Sequence, residues 1–336
     1  MKTYKVAVVI PTLNEEKFIK QCIDSVICQT FPFDEMDVMV IDGGSSDNTR
    51  NIVSDIANKY PNVRLLLNPG KIQSIAFNIG VKESTAPYIV RLDAHALYNN
   101  TYIEKCLEKF HATSEELGCP SESLGNVGGV WQIRPQYKGL IPEASAILNK
   151  SKFGIGGATF RVGGKAGVVD TVPFGCFPRS VIDIVGGMRE DLPRGEDNEI
   201  NSRIRKFGYN IYFDPDIIST YFSRDTIKAN MKQMYANGLS IGKLLYIDHK
   251  SIGIRHLVPF AFVAAIILGL VLGWIWFPLF GFLCLIMTAY LLSALIATIL
   301  ACKKYSWKYI TVLPLMFFLI HVSYGWGTLV GILKIK

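Results

Sequence analysis

The sequence predicts an α/β protein: a mostly parallel sheet flanked by helices, followed by α-helical segments apolar enough to cross a membrane. Three observations predict it. From residue 6 to residue 110, strand-length apolar runs alternate with segments whose apolar residues recur at helical spacing. The strand-length runs up to residue 92 break off in turn residues, several of which carry an acid, an amide or a lysine. The last acidic residue is Asp248, and residues 257–336 hold five charges, all lysine.

Taken in order, 6–10 is a continuous apolar run of strand length, closed by Pro11-Thr12-Leu13-Asn14-Glu15-Glu16. Phe18, Ile19, Cys22, Ile23, Val26 and Ile27 then share one helical face. The second strand, 37–41, ends at Asp42-Gly43-Gly44-Ser45-Ser46-Asp47, a cluster suited to cap the helix marked by Ile52, Val53, Ile56 and Tyr60. The third strand is 63–67, and 70–81 covers a loop, with Lys71 after Gly70, and a helix. The fourth strand, 88–92, follows Pro87 and delivers Asp93 and His95 to its carboxyl end, where open α/β sheets bind ligands. Thr101-x-x-Glu104 reads as a capping box for a helix carrying Tyr102, Cys106 and Phe110. Short connections between alternating strands and helices imply right-handed parallel winding.

Residues 126–130 open a second half. Glycines are dense from 154 to 187, permitting close backbone approach or a mobile loop. A strand into a turn at 171–177 and a helix at 180–185 follow. Gly195-Glu196-Asp197 precedes a helix with Ile200, Ile204 and Phe207 inward, stopped by Gly208.

Several classes are disfavoured. No Gly-x-Gly-x-x-Gly follows the first strand and no Gly-Lys-Ser/Thr occurs, against a dinucleotide fold or a P-loop ATPase. The net charge of +7 arises mostly in the apolar tail, so no basic soluble face suggests nucleic acid. The seven cysteines have no Cys-x-x-Cys pairing and read as reduced thiols of a cytosolic compartment. The first residues lead straight into a strand, so no signal peptide is expected.

Asp93 supplies carboxylate oxygens and His95 a nitrogen, which together can hold one divalent cation. Read alone, they are equally a turn cap and a surface histidine. Six stretches in chain order, this one among them, change the weighing: 8–15, 41–47, Ala76-Phe77-Asn78-Ile79-Gly80, Leu92-Asp93-Ala94-His95, Gly195-Glu196-Asp197 and 233–238. In this order they resemble the family 2 glycosyltransferases, the inverting GT-A group with a Rossmann-like sheet. The arrangement is most similar to the ExoA-like exopolysaccharide (succinoglycan) enzymes.

The resemblance implies roles. Pro11, Asn14 and Glu15 lie where the family contacts the base and ribose of a nucleotide-sugar, although Asn14-Glu15 also suits a helix start. Asp42 matches an aspartate that accepts from uracil, and Gly43 stands where many members have a second acid. Lys71 is placed to meet the diphosphate, or is a solvated lysine. Asp93 and His95 replace the usual Asp-x-Asp. They imply Mn²⁺ or Mg²⁺, with histidine favouring Mn²⁺ and binding either directly or through water. Asp197 matches the catalytic base and Glu196 lies beside it on the acceptor side; without the resemblance both read as first-turn acids favourable to a helix dipole. Gln233 matches an acceptor-side glutamine, with Ala236 where the family has arginine, and equally fits a plain interfacial helix.

The tail completes the expectation. Residues 226–256 mix apolar residues with Lys228, Lys232 and Lys243, as amphipathic helices on a membrane surface do. Apolar runs at 257–277, 278–302 and 309–333 suggest about three transmembrane helices, with Pro278 at a hairpin. Lysines 303, 304 and 308 put that loop and the catalytic domain on the cytoplasmic side of a multi-pass inner (plasma) membrane protein. The expected organisation is 1–225 catalytic, split at 118/119 into nucleotide and acceptor halves, then 226–256 interfacial and 257–336 membrane. The expected function is transfer of a sugar from a nucleotide-sugar, UDP-linked, to a lipid-linked polyprenol glycan. A polyprenol-phosphate sugar transferase and a silent nucleotide-sugar-binding scaffold are the alternatives.

Overall fold

In the computed structural model, residues 3–192 and 194–334 are described. They form two compact units: residues up to 132 with 163–221, and 133–162 with 222 onward.

In chain order the first stretch runs β1 (Val6–Thr12), α1 (Ile19–Ile27), β2 (Met36–Asp42), α2 (Thr49–Ala57), β3 (Val63–Leu67), α3 (Gln73–Glu83), β4 (Tyr88–Arg91), β5 (Ala96–Tyr98), α4 (Tyr102–Lys109), α5 (Ser114–Leu117) and β6 (Leu124–Arg134). Helices α6 (Leu140–Lys150), α7 (Lys152–Ile155) and α8 (Thr159–Val162) follow, then β7 (Gly167–Val169), β8 (Cys176–Pro178), α9 (Arg179–Val185), α10 (Glu196–Lys206) and β9 (Asn210–Phe222). The remainder is helical: α11 (Ile227–Ile247), α12 (Val258–Leu272), α13 (Phe277–Lys304) and α14 (Leu313–Leu333).

Among the described residues, nine strands form one sheet in the order β3-β2-β1-β4-β8-β6-β9-β5, with β7 also on β9. The β3-β2-β1-β4 half is parallel, whereas β8 joins β4 antiparallel. The first two strands are wholly buried, as expected of apolar runs covered by helices on both faces. Edge strand β3 is only partly covered and ends in an exposed Leu67. From β1 the chain winds outward through β2 to β3, then crosses back to place β4 on the other side of β1. That reversal puts a crevice at the carboxyl ends of β1 and β4.

Local signals fared unevenly. Thr101 precedes α4 but makes no side-chain cap. Its hydroxyl donates to Asn99, and Glu104 accepts from the Thr30 hydroxyl instead, so the long-range partner wins over the local box. A full capping box forms at Thr113 and Glu116, which open α5.

The second unit departs from the division expected at residue 225. Residues 133–162 fold here because Ala144, Ile147 and Leu148 of α6 bury against Leu313, Met316 and Phe317 of α14. Helix α11 does not spend its buried face on a membrane surface. It lies along α14, with Gly242 against Gly331, Gly238 against the backbone of Tyr324 and Thr328, and Gly327 against that of Tyr235 and Leu239. A Cβ at Gly238 would sit 2.0 Å from the Tyr324 carbonyl oxygen, and one at Gly331 2.4 Å from that of Leu239. Glycine alone permits this approach.

Three spans were expected; two helices among the described residues, α13 and α14, are long and apolar enough to cross a membrane. The first apolar run makes only the 15-residue α12, about 22 Å long, because the chain turns at Gly273. The turn before Pro278 exposes Trp274, Ile275 and Trp276.

Candidate active site

The crevice is built from loops tied to one another. Asn14, just after β1, has φ 55°, a left-handed conformation that asparagine tolerates. Its Oδ1 accepts from the Ser46 backbone N–H and hydroxyl, and its own N–H donates to Ser45 Oγ. Ser45 Oγ donates in turn to Asp42, whose carboxylate also accepts from the N–H groups of Gly44 and Ser45. Asp42 is buried, with Arg50 3.6 Å away. Both of its oxygens are therefore engaged by its own turn. Lys71 also has positive φ, at 62°, and its Cα lies 3.3 Å from where a Gly43 Cβ would stand. Glycine in place of a second acid thus lets the loops after β2 and β3 close on each other.

The other predicted residues gather around a side chain that sequence reasoning passed over. Arg91, the last residue of β4, is 2% exposed. Its Nη1 donates to Asp197 Oδ1 at 2.6 Å, and its Nη2 to Asp93 Oδ1 at 2.9 Å and to Gln73 Oε1 at 2.7 Å. Glu196 Oε1 lies 3.5 Å from Nη2. One guanidinium thereby joins the strand-end aspartate to the acids opening α10. Burial alone would lower the Arg91 pKa, but Asp197, Asp93 and Glu196 outweigh it and push it up. Glu196 is driven the other way for an acid. Burial, then the Asp197 carboxylate, raise it to about 7 against the pull of Arg91. Of the three acids, Asp197 is the open one, its side chain 35% exposed against 15% for Asp93 and 6% for Glu196.

Why these groups converge is local. Asn78 on α3 accepts from the Met188 N–H and donates to the Met188 carbonyl, and Ser74 donates to the Leu192 carbonyl. The segment leading into α10 is thus clamped to α3, whose first residue, Gln73, holds Arg91. On β5, the Tyr98 hydroxyl accepts from the Asp93 N–H at 2.7 Å and fixes the turn after β4. Phe174, held at φ 49°, is a buried aromatic in a left-handed conformation and packs between Trp131 and Tyr98. Such a conformation costs about 1–3 kcal/mol.

His95 Nδ1 lies 3.1 Å from Glu15 Oε1. A carboxylate only accepts, so Nδ1 carries the hydrogen and Nε2 the lone pair of the neutral ring. That is the tautomer of a metal-binding histidine, with Glu15 as the carboxylate behind it. Asp93 offers Oδ2 beyond its bond to Arg91. The described residues contain no cluster of three or more acids, histidines or cysteines able to hold a metal. Two protein donors nevertheless suit a cation that takes its remaining ligands from diphosphate and water, so Asp93 and His95 fit the group.

Of the predicted residues, Asn14, Asp42 and Lys71 meet at the loops after β1, β2 and β3. Glu15 meets His95, and Asp93, Glu196 and Asp197 meet at Arg91. Pro11 is buried within β1. Gln233 lies on α11 of the second unit. Arg91 and Gln73 were missed; an arginine closing an otherwise apolar strand two residues before Asp93 was the available signal.

Comparison with known proteins gives the context. The family model described as glycosyl transferase family 2 matches residues 7–159. The succinoglycan biosynthesis protein ExoA of Rhizobium meliloti is 30% identical over 270 residues, 79% of this chain and 77% of its own. A dolichyl N-acetyl-α-D-glucosaminyl phosphate 3-β-D-2,3-diacetamido-2,3-dideoxy-β-D-glucuronosyltransferase of Methanococcus voltae is 25% identical over 332 residues, covering 98% of this chain and 97% of that protein. The mannosyltransferase PcManGT of Pyrobaculum calidifontis, solved with GDP-Man and Mn²⁺, shares the fold at TM-score 0.57 and 20% identity, over 97% of this chain and 88% of its own. Motif order, sheet topology and relatives agree, and the chain belongs to glycosyltransferase family 2.

Proposed function

We propose that this glycosyltransferase moves a sugar, with inversion, from a nucleoside diphosphate donor to a lipid-linked glycan at a membrane face. The observation that carries the reading is the Arg91 fork, which holds Asp93 and Asp197 on one guanidinium at the carboxyl end of the sheet. Asp197 is the base. Its exposed carboxylate takes the proton of the acceptor hydroxyl while that oxygen bonds to the anomeric carbon and the bond from that carbon to the diphosphate breaks. Arg91 and Gln73 orient it, and Glu196 stays behind it, buried. Asn14, Asp42 and Lys71 shape the donor side, with Pro11 beneath them. Asp93 and His95, the latter braced by Glu15, would hold a divalent cation, Mn²⁺ or Mg²⁺, which supplies Lewis-acid neutralisation of the leaving diphosphate.

The match of Asp42 to the family's uracil-contacting aspartate supports a UDP-linked donor, whose base it would meet through the carboxylate lone pairs that its own turn leaves open. The relative from Methanococcus voltae, matched along nearly its whole length, bears a dolichyl-linked phosphate acceptor in its name and supports the lipid-linked acceptor. Exposed Leu, Val and Phe on α12 and α13, with Trp274 and Trp276 in the turn between them, support membrane insertion, since soluble surfaces rarely carry so continuous an apolar face. Positive residues at 303–308 favour a cytoplasmic catalytic unit. Gln233 reaches toward acceptor chemistry only by its resemblance to the family motif.

The test is a pair of substitutions read by two assays. Asp197→Asn should lower sugar transfer by about 10²–10⁴-fold, with Mn²⁺-dependent nucleoside diphosphate binding retained in calorimetry. Asp93→Ala should lose that binding. Transfer surviving in Asp197→Asn rules out the assigned base.

A further inference from the structure

We propose that a cavity of about 420 Å³ within the second unit binds the lipid carrier of the acceptor, a single-chain polyprenyl phosphate. The inference rests on the lipid-linked acceptor reading above and gives that lipid a binding place.

The cavity is formed by helices α7, α11, α12, α13 and α14 together with the 255–256 segment. Its volume is that of an ordinary small-molecule pocket. The interior is apolar, with Phe153, Met234, Phe262 and Ile320 among its lining. The charged lining residues are Lys152 and Arg255, joined by His256. Both Lys152 and Arg255 are exposed, so positive charge sits at the opening. No acidic residue lines the cavity among the described residues. An apolar slot with a cationic opening complements an amphiphile of one hydrocarbon chain and an anionic head. The volume suits the head-proximal isoprene units of the chain and not its full length.

The wall is rigid. His321 on α14 faces the carbonyls of Phe153 and Gly154 through Nε2, at 2.8 and 3.0 Å. Carbonyls only accept, so Nε2 carries the hydrogen, and Nδ1 accepts from the Tyr290 hydroxyl at 2.8 Å. One imidazole thus locks α7, α13 and α14 around the slot. That outlay of buried polar groups on an apolar wall keeps it from collapsing.

The experiment uses the full chain in phosphatidylcholine nanodiscs with a diazirine-bearing undecaprenyl phosphate, the labelled peptides being mapped by mass spectrometry. Labels are expected on the segments around Phe262 and Ile320. Arg255→Glu, at the exposed opening, and Ile320→Trp, which fills the interior, should each reduce labelling about tenfold. Binding of UDP or GDP should stay unchanged in Arg255→Glu. Labelling elsewhere, unchanged labelling in both variants, or complete competition by phosphatidylglycerol overturns the proposal. Transfer of sugar to a lipid-linked acceptor is read separately from the lipid product. Loss of that activity with labelling intact overturns the functional reading and leaves the cavity's occupant standing.

Discussion

At the scale of residues, the site is a charge problem solved by Arg91. Three acids approach one guanidinium whose side chain is only 2% exposed. Arg91→Met would leave those acids without their cation, a loss of about 3–5 kcal/mol for a buried ion pair broken on one side. A lowered denaturation midpoint together with loss of transfer is the expected result; a midpoint equal to wild type would mean that the cluster does not stabilise the fold. Glu196 provides the pH handle. Its carboxyl is raised from 4.5 to about 7 by burial and by Asp197. The folded state therefore holds that proton more tightly than the unfolded state. Its contribution is complete below pH 4.5 and is lost as pH rises through 7. Glu196→Gln cannot ionise, so its melting temperature should gain on wild type between about pH 4.5 and pH 7 and level off above that. Parallel melting curves across that range would show that Glu196 does not titrate there.

At the scale of elements, two different economies of contact operate. In the sheet, β1 and β2 are buried along their whole length, and the strand ends and the loops after them carry the chemistry. In the helical unit, α11 and α14 meet through glycines on both sides, so backbone touches backbone. Gly331→Leu should force the pair apart and cost about 1–3 kcal/mol, seen as a lower melting temperature in detergent micelles. No change would mean that the helices can slide past the added side chain. The shortness of α12 also belongs here. Hydropathy alone reads 257–277 as one span, but the turn at Gly273 ends the helix early, and composition does not register a bend.

At the scale of the whole molecule, the chain joins an α/β unit to a helical unit whose helices α12 and α13 expose many large apolar side chains. The membrane reading predicts that the chain stays in the membrane fraction after washing with alkaline carbonate and with high salt. Release by carbonate would place it on the surface instead of within the bilayer. Salt alone removes proteins held by charge, and the five lysines of the tail are too few to be the main attachment.

The sequence by itself determined the α/β class, the parallel strand–helix alternation, the family and most of the candidate residues. These follow from local periodicity and from strand ends, where the chain must turn and polar groups must collect. Only the tertiary structure decided that Arg91 is the hub, that Glu15 turns toward His95, and that 133–162 belongs with the helices. Each depends on partners dozens of residues away: Asp197 is 106 positions from Arg91, and Glu15 is 80 from His95. A pattern read along the chain records which side chains are available. Which of them share a low-dielectric pocket is set by the crossover that lays β4 beside β1 and by the clamp of α3 on the segment before α10. For the same reason the Asp93–Ala94–His95 turn was legible as a candidate cation site, while the guanidinium that couples it to Asp197 was not.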